Sequence, residues 1–431
     1  MPFASKVREA PSPHLSNRIN HTFDNTSPTP FSSQSSHQNL IKLDFECLPA
    51  HNPQVMHKVL HTDAIRAALH DKGWDQKKLA QAVGVSAQSV TNWMKGTDFP
   101  RPATLLKLAT TLSLGFDRLV LADTANQPVV AFRKKGSAKT TQAHVQRAVA
   151  IGELLRPLVN YLPSRQSLYT QISDTSLAYE RLQTTVSAVR SRLGIGQGAV
   201  LSYEHLIAQF AENNAVIVPV MWGTRQKHEN ALHILLPAEK VTFIYLNLDT
   251  YLEDFKFWMA HELAHVYTPD LAGKPEGEDF ADAFAGALLF PRELARQVYA
   301  TAMTAGTPGG EMAALLAAAE AHQISLFSVF RETANHAQAA GLPALKVAEA
   351  DIHAVRNSQA VRGELVSATL FKPLPPAAQT YLAAAHGVFQ SQFFVALRAM
   401  LRERGTGVGY VQQVLDLALP DAQAVYEELT R

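Results

Sequence analysis

The sequence has very little cysteine, since Cys47 is the only one among 431 residues. An internal disulfide is therefore excluded, and so is a zinc finger built on cysteine. Long apolar runs are also missing, because no stretch approaches the roughly 18 residues that a membrane-spanning helix needs. The N-terminal segment lacks a continuous apolar run of the secretory type. These absences predict a cytoplasmic protein in which any metal is held by histidine and carboxylate side chains.

The composition is that of a globular chain with a sizeable core, with 47% hydrophobic and 18% charged residues. At this length two or three domains are expected. The net charge is only +1, but residues 56–140 hold 13 Lys and Arg against 6 Asp and Glu. This stretch therefore suits a polyanionic partner, while the rest of the chain is acidic.

Residues 1–55 are rich in Ser, Asn, Pro and His and show neither helical nor strand periodicity. We interpret them as a disordered leader. A well-patterned segment begins only at Met56. An alternative interpretation is that translation starts there and that the leader is an upstream extension of the reading frame.

Hydrophobic periodicity predicts a multidomain, mainly α-helical protein with a small β-sheet. Residues 56–122 show short helical patterns, and residues 123–145 are expected to form a polar, basic linker. Residues 146–310 combine helical patterns with three short strands. The strands are expected at Ala215–Met221, Ala231–Leu236 and Val241–Leu246. Residues 311–431 predict a helical C-terminal region, for which a sensing or dimerisation role is a hypothesis.

The segment from Asp75 to Gly96 has the layout of two short helices joined by a tight turn. Asp75 is suited to cap the first helix and Ser86 the second. Gly84 lies where the turn needs a positive φ, a conformation that glycine adopts at little cost. This local pattern predicts a helix-turn-helix.

The second of these helices exposes side chains that suit a surface for reading bases. Val90 and either Trp93 or Met94 point inward on the helical period, which leaves the opposite face for DNA. Gln and Asn amides match the adenine edge in the major groove, and basic side chains suit phosphates. The predicted DNA contacts are Gln76, Lys77, Lys78, Ala87, Gln88, Ser89, Asn92, Lys95 and Arg101.

Together these features resemble the Cro/C1-type (XRE) helix-turn-helix family over Ile65–Leu119. The positions in register are Leu79, Ala80, Gly84, Val85, Ser86, Val90, Gly96, Pro102, Leu105, Leu108, Ala109 and Leu112. The resemblance implies an all-helical domain at residues 56–122 that binds a palindromic double-stranded DNA operator as a homodimer. A helical bundle with a solvated basic face is the alternative interpretation.

A second motif, the HELAH segment from His261 to His265, matches the HExxH pattern. Residues four apart lie on one face of a helix, so both imidazoles can reach one Zn²⁺. Glu262, beside the first histidine, is suited to take a proton from an attacking water. Pro269 marks the expected end of the helix. The alternative interpretation is a pair of helix-face histidines without a metal.

A catalytic zinc site of this kind uses three protein ligands and leaves one position open. On spacing alone, Glu278, Glu276 and Asp279 are all candidates for the third ligand. Asp282 lies one helical turn after Glu278 and is expected to receive a ring N–H from a ligating histidine.

Several features in chain order resemble the ImmA/IrrE (M78) family of metallopeptidases. They are the helical lead-in from Ala188 to Gly198, the small sheet, the HELAH motif and the segment Glu278–Pro291, which has the pattern ExxADxFAxxLLxP. The resemblance covers about residues 185–295 and implies a minimal zincin domain of the α+β type in which Glu278 is the third ligand. Ala264 departs from the pattern, because the family usually has glycine there.

Peptidases of this family cleave helix-turn-helix repressors and so release the genes that those repressors control. We therefore predict a bacterial transcription regulator with a zinc-dependent endopeptidase domain that cuts a partner repressor or itself. Asp123–Thr140 is the expected site of self-cleavage, since a peptidase needs a mobile substrate. The alternative is a non-enzymatic repressor or antitoxin-like regulator whose zincin domain senses a ligand or dimerises.

Other polar residues carry weaker signals. Tyr267 and His228 are candidates for the group that stabilises the oxyanion, although a structural role is the simpler interpretation of each. The remaining histidines, His233 among them, have no ligand spacing. We interpret them as surface or core residues.

Overall fold

The computed structural model describes residues 59–121, 126–134, 142–163, 170–222, 229–358 and 363–431. The leader predicted at 1–55 lies outside these residues, as do His228 and the parts of the predicted linker at 123–125 and 135–141. The chain divides into two compact units. The described part of the smaller unit is 59–121 with 126 and 127, and the larger unit contains the described residues from Pro128 to Arg431.

Within its described residues the smaller unit is a helical bundle with one short β-ladder. Its elements are β1 (Val59–Leu60), α1 (Thr62–Asp71), α2 (Gln76–Val83), α3 (Ala87–Met94), α4 (Pro102–Leu112), α5 (Phe116–Leu119) and β2 (Val120–Leu121). Strands β1 and β2 pair antiparallel, an addition to the helices that the sequence predicts. Leu79, Val90 and Leu108 lie in one apolar core. Trp93, at 5% exposure, is buried more deeply than Met94.

Helices α2 and α3 are joined by the tight turn that the sequence predicts. Asp75 caps α2 by accepting the backbone N–H of Lys78 at 2.7 Å, and Ser86 caps α3 by accepting that of Ser89 at 3.0 Å. Gly84 ends α2 with a φ of 78°, which is costly for a residue with a Cβ. Local chemistry thus sets the angle at which α3 leaves the turn.

The larger unit combines a four-stranded sheet with helices. Its strands are β3 (Val129–Lys134), β4 (Ala215–Val220), β5 (Glu229–Leu236) and β6 (Val241–Asn247). Its helices are α6 (Gln142–Val159), α7 (Tyr179–Arg192), α8 (Tyr203–Glu212), α9 (Leu252–Tyr267), α10 (Pro275–Leu289), α11 (Arg292–Ala305), α12 (Pro308–His322), α13 (Leu326–Ala339), α14 (Glu349–Arg356), α15 (Val366–Leu370), α16 (Ala378–Gly387), α17 (Phe393–Arg404), α18 (Val408–Leu415) and α19 (Leu419–Thr430), with a 3₁₀ turn at Pro269–Leu271. The strand order is β3-β5-β6-β4, in which β4 runs parallel to β6 and the other neighbours are antiparallel.

Strand β3 lies inside the stretch that the sequence assigns to a linker. Residues 129–134 pair with β5, so the sheet has a fourth strand beyond the three that the sequence predicts. Strand β3 lies at one end of the strand order among the described residues. Helix α6 also begins inside the predicted linker, at Gln142. The linker is therefore shorter than 123–145.

The C-terminal helices share a core with the sheet. The ring of Phe393 on α17 packs edge-on against Phe243 of β6, with centroids 6.4 Å apart. The hydroxyl of Tyr245 donates to the carbonyl of Val414 at 2.8 Å. The prediction that this region is helical is confirmed. Residue 310 is not a boundary between compact units, because the described residues on both sides of it belong to the larger unit.

Among the described residues, no single helix is long and apolar enough to cross a membrane. Helices α12 and α13 meet the length and composition criteria only as a pair, with a bend of 115° between them. Both contribute to the core of the larger unit, where Leu315 and Val329 are 0% exposed.

Candidate metal centre and nucleic-acid interface

Helix α9 carries the HExxH residues in the interior of the larger unit. His261 is 0% exposed, and Glu262 and His265 are each 1% exposed. One turn of helix separates the two histidines, which places their Nε2 atoms 3.2 Å apart on a shared face. The helix predicted around the HExxH motif is present, and both of its imidazoles are directed toward the same point.

Helix α10 brings Glu278 to the same place. Its carboxylate oxygens lie 3.5 Å from Nε2 of His261 and 3.3 Å from Nε2 of His265. The ligand atoms of these three residues all lie within 4.8 Å of one another, and theirs is the single such group found in the described part of the chain. Glu276 and Asp279 are exposed and lie outside the group.

The start of α10 depends on a close approach of two backbones. A Cβ on Gly277 would lie 2.2 Å from the carbonyl oxygen of Leu271, so only glycine fits there. Pro275 occupies the first turn of α10, where its missing N–H removes no helical hydrogen bond. These two residues set where α10 begins and thereby the direction of Glu278.

Asp282 meets the other side of the His261 ring. Its Oδ1 lies 2.9 Å from Nδ1 of His261, as the sequence predicts for one of the histidines. Donation of the Nδ1–H to this carboxylate fixes the ring so that Nε2 is the nitrogen that faces Glu278. Arg331 of α13 donates to the backbone carbonyl of Asp282 at 3.1 Å and ties α10 to α13.

The charges of the cluster favour a cation at its centre. Burial disfavours the charged form of His261, but hydrogen bonds to Asp282 and Glu278 outweigh burial and raise its pKa to about 9. Burial acts against the carboxylate of Glu278, yet hydrogen bonds from His261 and His265 prevail and lower its pKa to about 2. Two imidazole nitrogens and an ionised carboxylate are a donor set that Zn²⁺ takes with three protein ligands. The residues therefore fit a zinc ion.

His233 of β5 belongs to the site, although sequence reasoning treated it as a scattered surface or core residue. Its Nδ1 lies 3.5 Å from Oε2 of Glu262, and its ring is edge-on to His265 with centroids 5.5 Å apart. Burial lowers the pKa of His233 to about 3, which makes the ring neutral. The feature of the sequence that could have indicated this role is that His233 is a polar residue within the apolar run Ala231–Leu236.

The cluster reaches solvent on the side of α10. The side chains of Glu278 and Asp282 are 26% and 24% exposed. A cavity of about 690 Å³ adjoins Asp282 and is lined by Tyr179, Arg331 and Glu332, among others. Its volume lies in the range of ordinary ligand pockets.

Tyr267, one of the two residues named for the oxyanion, is engaged elsewhere. Its hydroxyl donates to the Gln209 side chain of α8 at 2.8 Å, and the residue is 1% exposed. This hydrogen bond supports the structural interpretation of Tyr267.

Most of the predicted DNA contacts lie on α2 and α3, while Lys95 follows α3 and Arg101 precedes α4. The exposed residues among them are Gln76, Lys77, Lys78, Ala87, Gln88, Lys95 and Arg101, and the half-buried ones are Ser89 and Asn92. The side-chain amide of Gln88 donates to that of Asn92 at 2.8 Å, which aligns both on α3. Thr91 donates to the Gln76 side chain at 3.4 Å and so links α3 to α2. The surface thus combines oriented amides with basic groups.

Two family models match parts of the chain. Residues 65–119 match one described as helix-turn-helix, the span of the resemblance to the XRE-type family. Residues 224–329 match the Peptidase M78 model, described as IrrE N-terminal-like domain. The match contains α9 and α10, extends beyond residue 295 and does not include residues 185–223 of the resemblance. Both resemblances are confirmed. The chain thus joins a segment similar to helix-turn-helix domains to a segment similar to the IrrE N-terminal-like domain. No curated protein and no solved structure matches it.

Proposed function

We propose that the chain is a cytoplasmic transcription regulator with a zinc-dependent endopeptidase domain, which cuts a partner repressor or its own chain to switch gene expression. The observation that carries this proposal is the convergence of His261, His265 and Glu278 beside Glu262, within the segment that matches a peptidase family. The helix-turn-helix domain would direct this activity to an operator.

In this proposal each residue of the cluster has one task. His261 and His265 would hold zinc through Nε2, and Glu278 through its carboxylate. Asp282 would keep the Nδ1–H of His261 engaged and the ring in one orientation. When bound, zinc polarises the peptide carbonyl and lowers the pKa of water in the site.

Glu262 would carry the proton. Its carboxylate accepts a proton from the water that attacks the carbonyl carbon, and it delivers that proton to the amide nitrogen as the C–N bond breaks. The water is consumed, and the products are a new carboxyl end and a new amino end. The reaction therefore requires no oxidant, reductant or second substrate.

Strand β3 limits which bonds of the chain itself are accessible to cleavage. A peptidase needs an extended, mobile segment, whereas residues 129–134 are hydrogen-bonded to β5 within the sheet. We therefore place self-cleavage, if it accompanies cleavage of a partner, outside β3.

The test is a cleavage assay on the full chain. The zinc-loaded chain is incubated alone, with a tagged Glu262→Gln copy as an inactive helix-turn-helix substrate, and with a panel of purified XRE-type repressors. Peptide mapping by mass spectrometry is expected to find a cut in a repressor or in the tagged copy, with residues 129–134 intact. If every chain stays whole with zinc, with and without operator DNA, the peptidase proposal fails.

We propose that DNA binding uses α3 and that two chains bind a palindromic operator as a homodimer. Gln88 and Asn92 would contact base edges, while Lys77, Lys78 and Lys95 would contact phosphates. The aligned amides on α3 and the basic groups around them support these roles.

Replacement of a base contact and of a phosphate contact should have different effects. Gln88→Ala is expected to cost about 1–3 kcal/mol of operator affinity and to relax the base preference at one position. Lys78→Ala is expected to weaken binding to all sequences and to reduce the salt slope by about one. Fluorescence anisotropy with an operator selected from a random pool measures both, and Lys107→Ala, an exposed lysine on α4, is the matched control. Equal affinities for all three variants would contradict the assignment.

A further inference from the structure

His233 lies in the middle of β5, a strand with a neighbour on each side. Its main chain pairs with Ala131 of β3 and Ile244 of β6. The residue is 0% exposed, and its side chain meets α9 at Glu262 and His265. The sheet thus holds this imidazole at the back of the candidate zinc site.

A histidine at this position is costly for the fold. Both of its ring nitrogens are buried, and neither has a hydrogen-bond partner among the described residues. An apolar side chain of similar volume would avoid that desolvation cost. Nδ1 of His265 is also buried without a partner in the described part of the chain. Three buried nitrogens therefore lie close together at the site.

The orientation of the two rings indicates how these nitrogens can satisfy one another. Nδ1 of His233 faces the Glu262 carboxylate at 3.5 Å, and this acceptor selects the tautomer with a proton on Nδ1. Nε2 of His233 is then an acceptor. Nε2 of His265 points to the candidate zinc position beside Glu278, so zinc bound there would leave the ring proton on Nδ1, which could then donate. The two rings pack edge-on at 63° with centroids 5.5 Å apart, and this donation would require the His233 side chain to rotate.

We propose that His233 is a positioning residue that links Glu262 to His265, donating from Nδ1 to the carboxylate and accepting at Nε2 from Nδ1 of His265. The proposal rests on the proposed function and deepens it. His233 gives His265 the outer partner that Asp282 gives His261, and metal-binding histidines regularly have such a partner. It also holds the Glu262 carboxylate in one orientation while the proton is moved.

The tautomer of His233 is the first measurement. Nuclear magnetic resonance of the full chain labelled with ¹⁵N-histidine resolves the ring nitrogens, and His233→Phe assigns the signal by its loss. A neutral ring protonated on Nδ1 is expected, with a shift that changes in Glu262→Gln. A proton on Nε2 would overturn the proposal, because Nδ1 would then have no hydrogen to donate to the carboxylate.

Zinc affinity is the second measurement, made by competition with a fluorescent chelator. His233→Phe removes the donor and the acceptor but fills the space, and it is expected to weaken zinc binding by about 10–100-fold. His233→Gln restores both functions and is expected to recover most of the affinity, which a purely structural role would not require. His322→Phe is the matched control, since His322 of α12 packs on Phe290 in another part of the unit.

Unchanged affinity in His233→Phe, or a Gln variant no better than the Phe variant, would overturn the proposal. Neither readout depends on peptide cleavage. If zinc affinity and tautomer behave as expected and no peptide is cut, the proposed function fails while the positioning role stands. If cleavage requires Glu262 and His233→Phe binds zinc like the wild type, the positioning role alone fails.

Discussion

Replacement of Glu262 by glutamine is expected to abolish measurable cleavage while leaving zinc and DNA binding intact. Glutamine keeps the size of the side chain and a carbonyl oxygen, but it cannot accept the proton of the attacking water. Proton transfer by a positioned side chain contributes about 10²–10⁴-fold to rate, so kcat is expected to fall by that factor. Glu262 is 1% exposed, and the isosteric change avoids a cavity.

The rate of fragment release, followed by mass spectrometry, measures this effect. Glu253→Gln is the matched control, because Glu253 lies in the first turn of the same helix and is only partly exposed. We expect cleavage at the wild-type rate in this control. Wild-type cleavage in Glu262→Gln would remove the residue from the proton path. Normal gene regulation in cells carrying Glu262→Gln would instead favour a regulator that works by binding alone.

About one zinc per chain is expected in the wild type, and none in His261→Ala or Glu278→Ala. His261 contacts the other two residues of the cluster. Its removal leaves only two ligand atoms, which are too few to hold zinc stably. Metal content is measured by plasma mass spectrometry after the full chain has been loaded with zinc and passed through a desalting column. Glu276→Ala, an exposed glutamate two residues before Glu278, is the matched control and should keep its zinc.

Zinc should also stabilise the fold, because a ligand that binds the folded state alone shifts the unfolding equilibrium. At a free concentration one hundred times Kd the expected gain is about 2.7 kcal/mol. The gain should disappear in His261→Ala and remain in Glu276→Ala. Equal zinc content in Glu278→Ala and the wild type would mean that another residue provides the third ligand.

Part of the candidate site was predictable because its partners are near neighbours in the chain. His261 and His265 meet through the geometry of a single helical turn, and Asp75 and Ser86 cap helices within three residues of themselves. Gly84 adopts the positive φ that its turn requires. Each of these features needs only the local backbone, which helical periodicity and capping chemistry describe well.

Other features were not predictable, because their partners are distant. β3 carries Arg133 and Lys134 and was interpreted as linker, yet it pairs with β5 roughly a hundred positions later. His233 had no ligand spacing, and it meets Glu262 only because β5 packs against α9. Spacing alone left Glu278, Glu276 and Asp279 open as the third ligand, and the resemblance to the ImmA/IrrE family indicated Glu278, which lies with the two histidines in the structure.

The sequence by itself determined the two kinds of domain, the histidine pair with its neighbouring glutamate and the capped helices of the DNA-binding bundle. Only the tertiary structure decided the fourth strand and the place of His233, whereas the meeting of Glu278 and Asp282 with the histidines agrees with the prediction. The physical reason is the range of the forces involved. Helical periodicity and capping act over one or two turns, whereas strand pairing and the meeting of two helices depend on burial of surfaces that the chain brings together only when it folds.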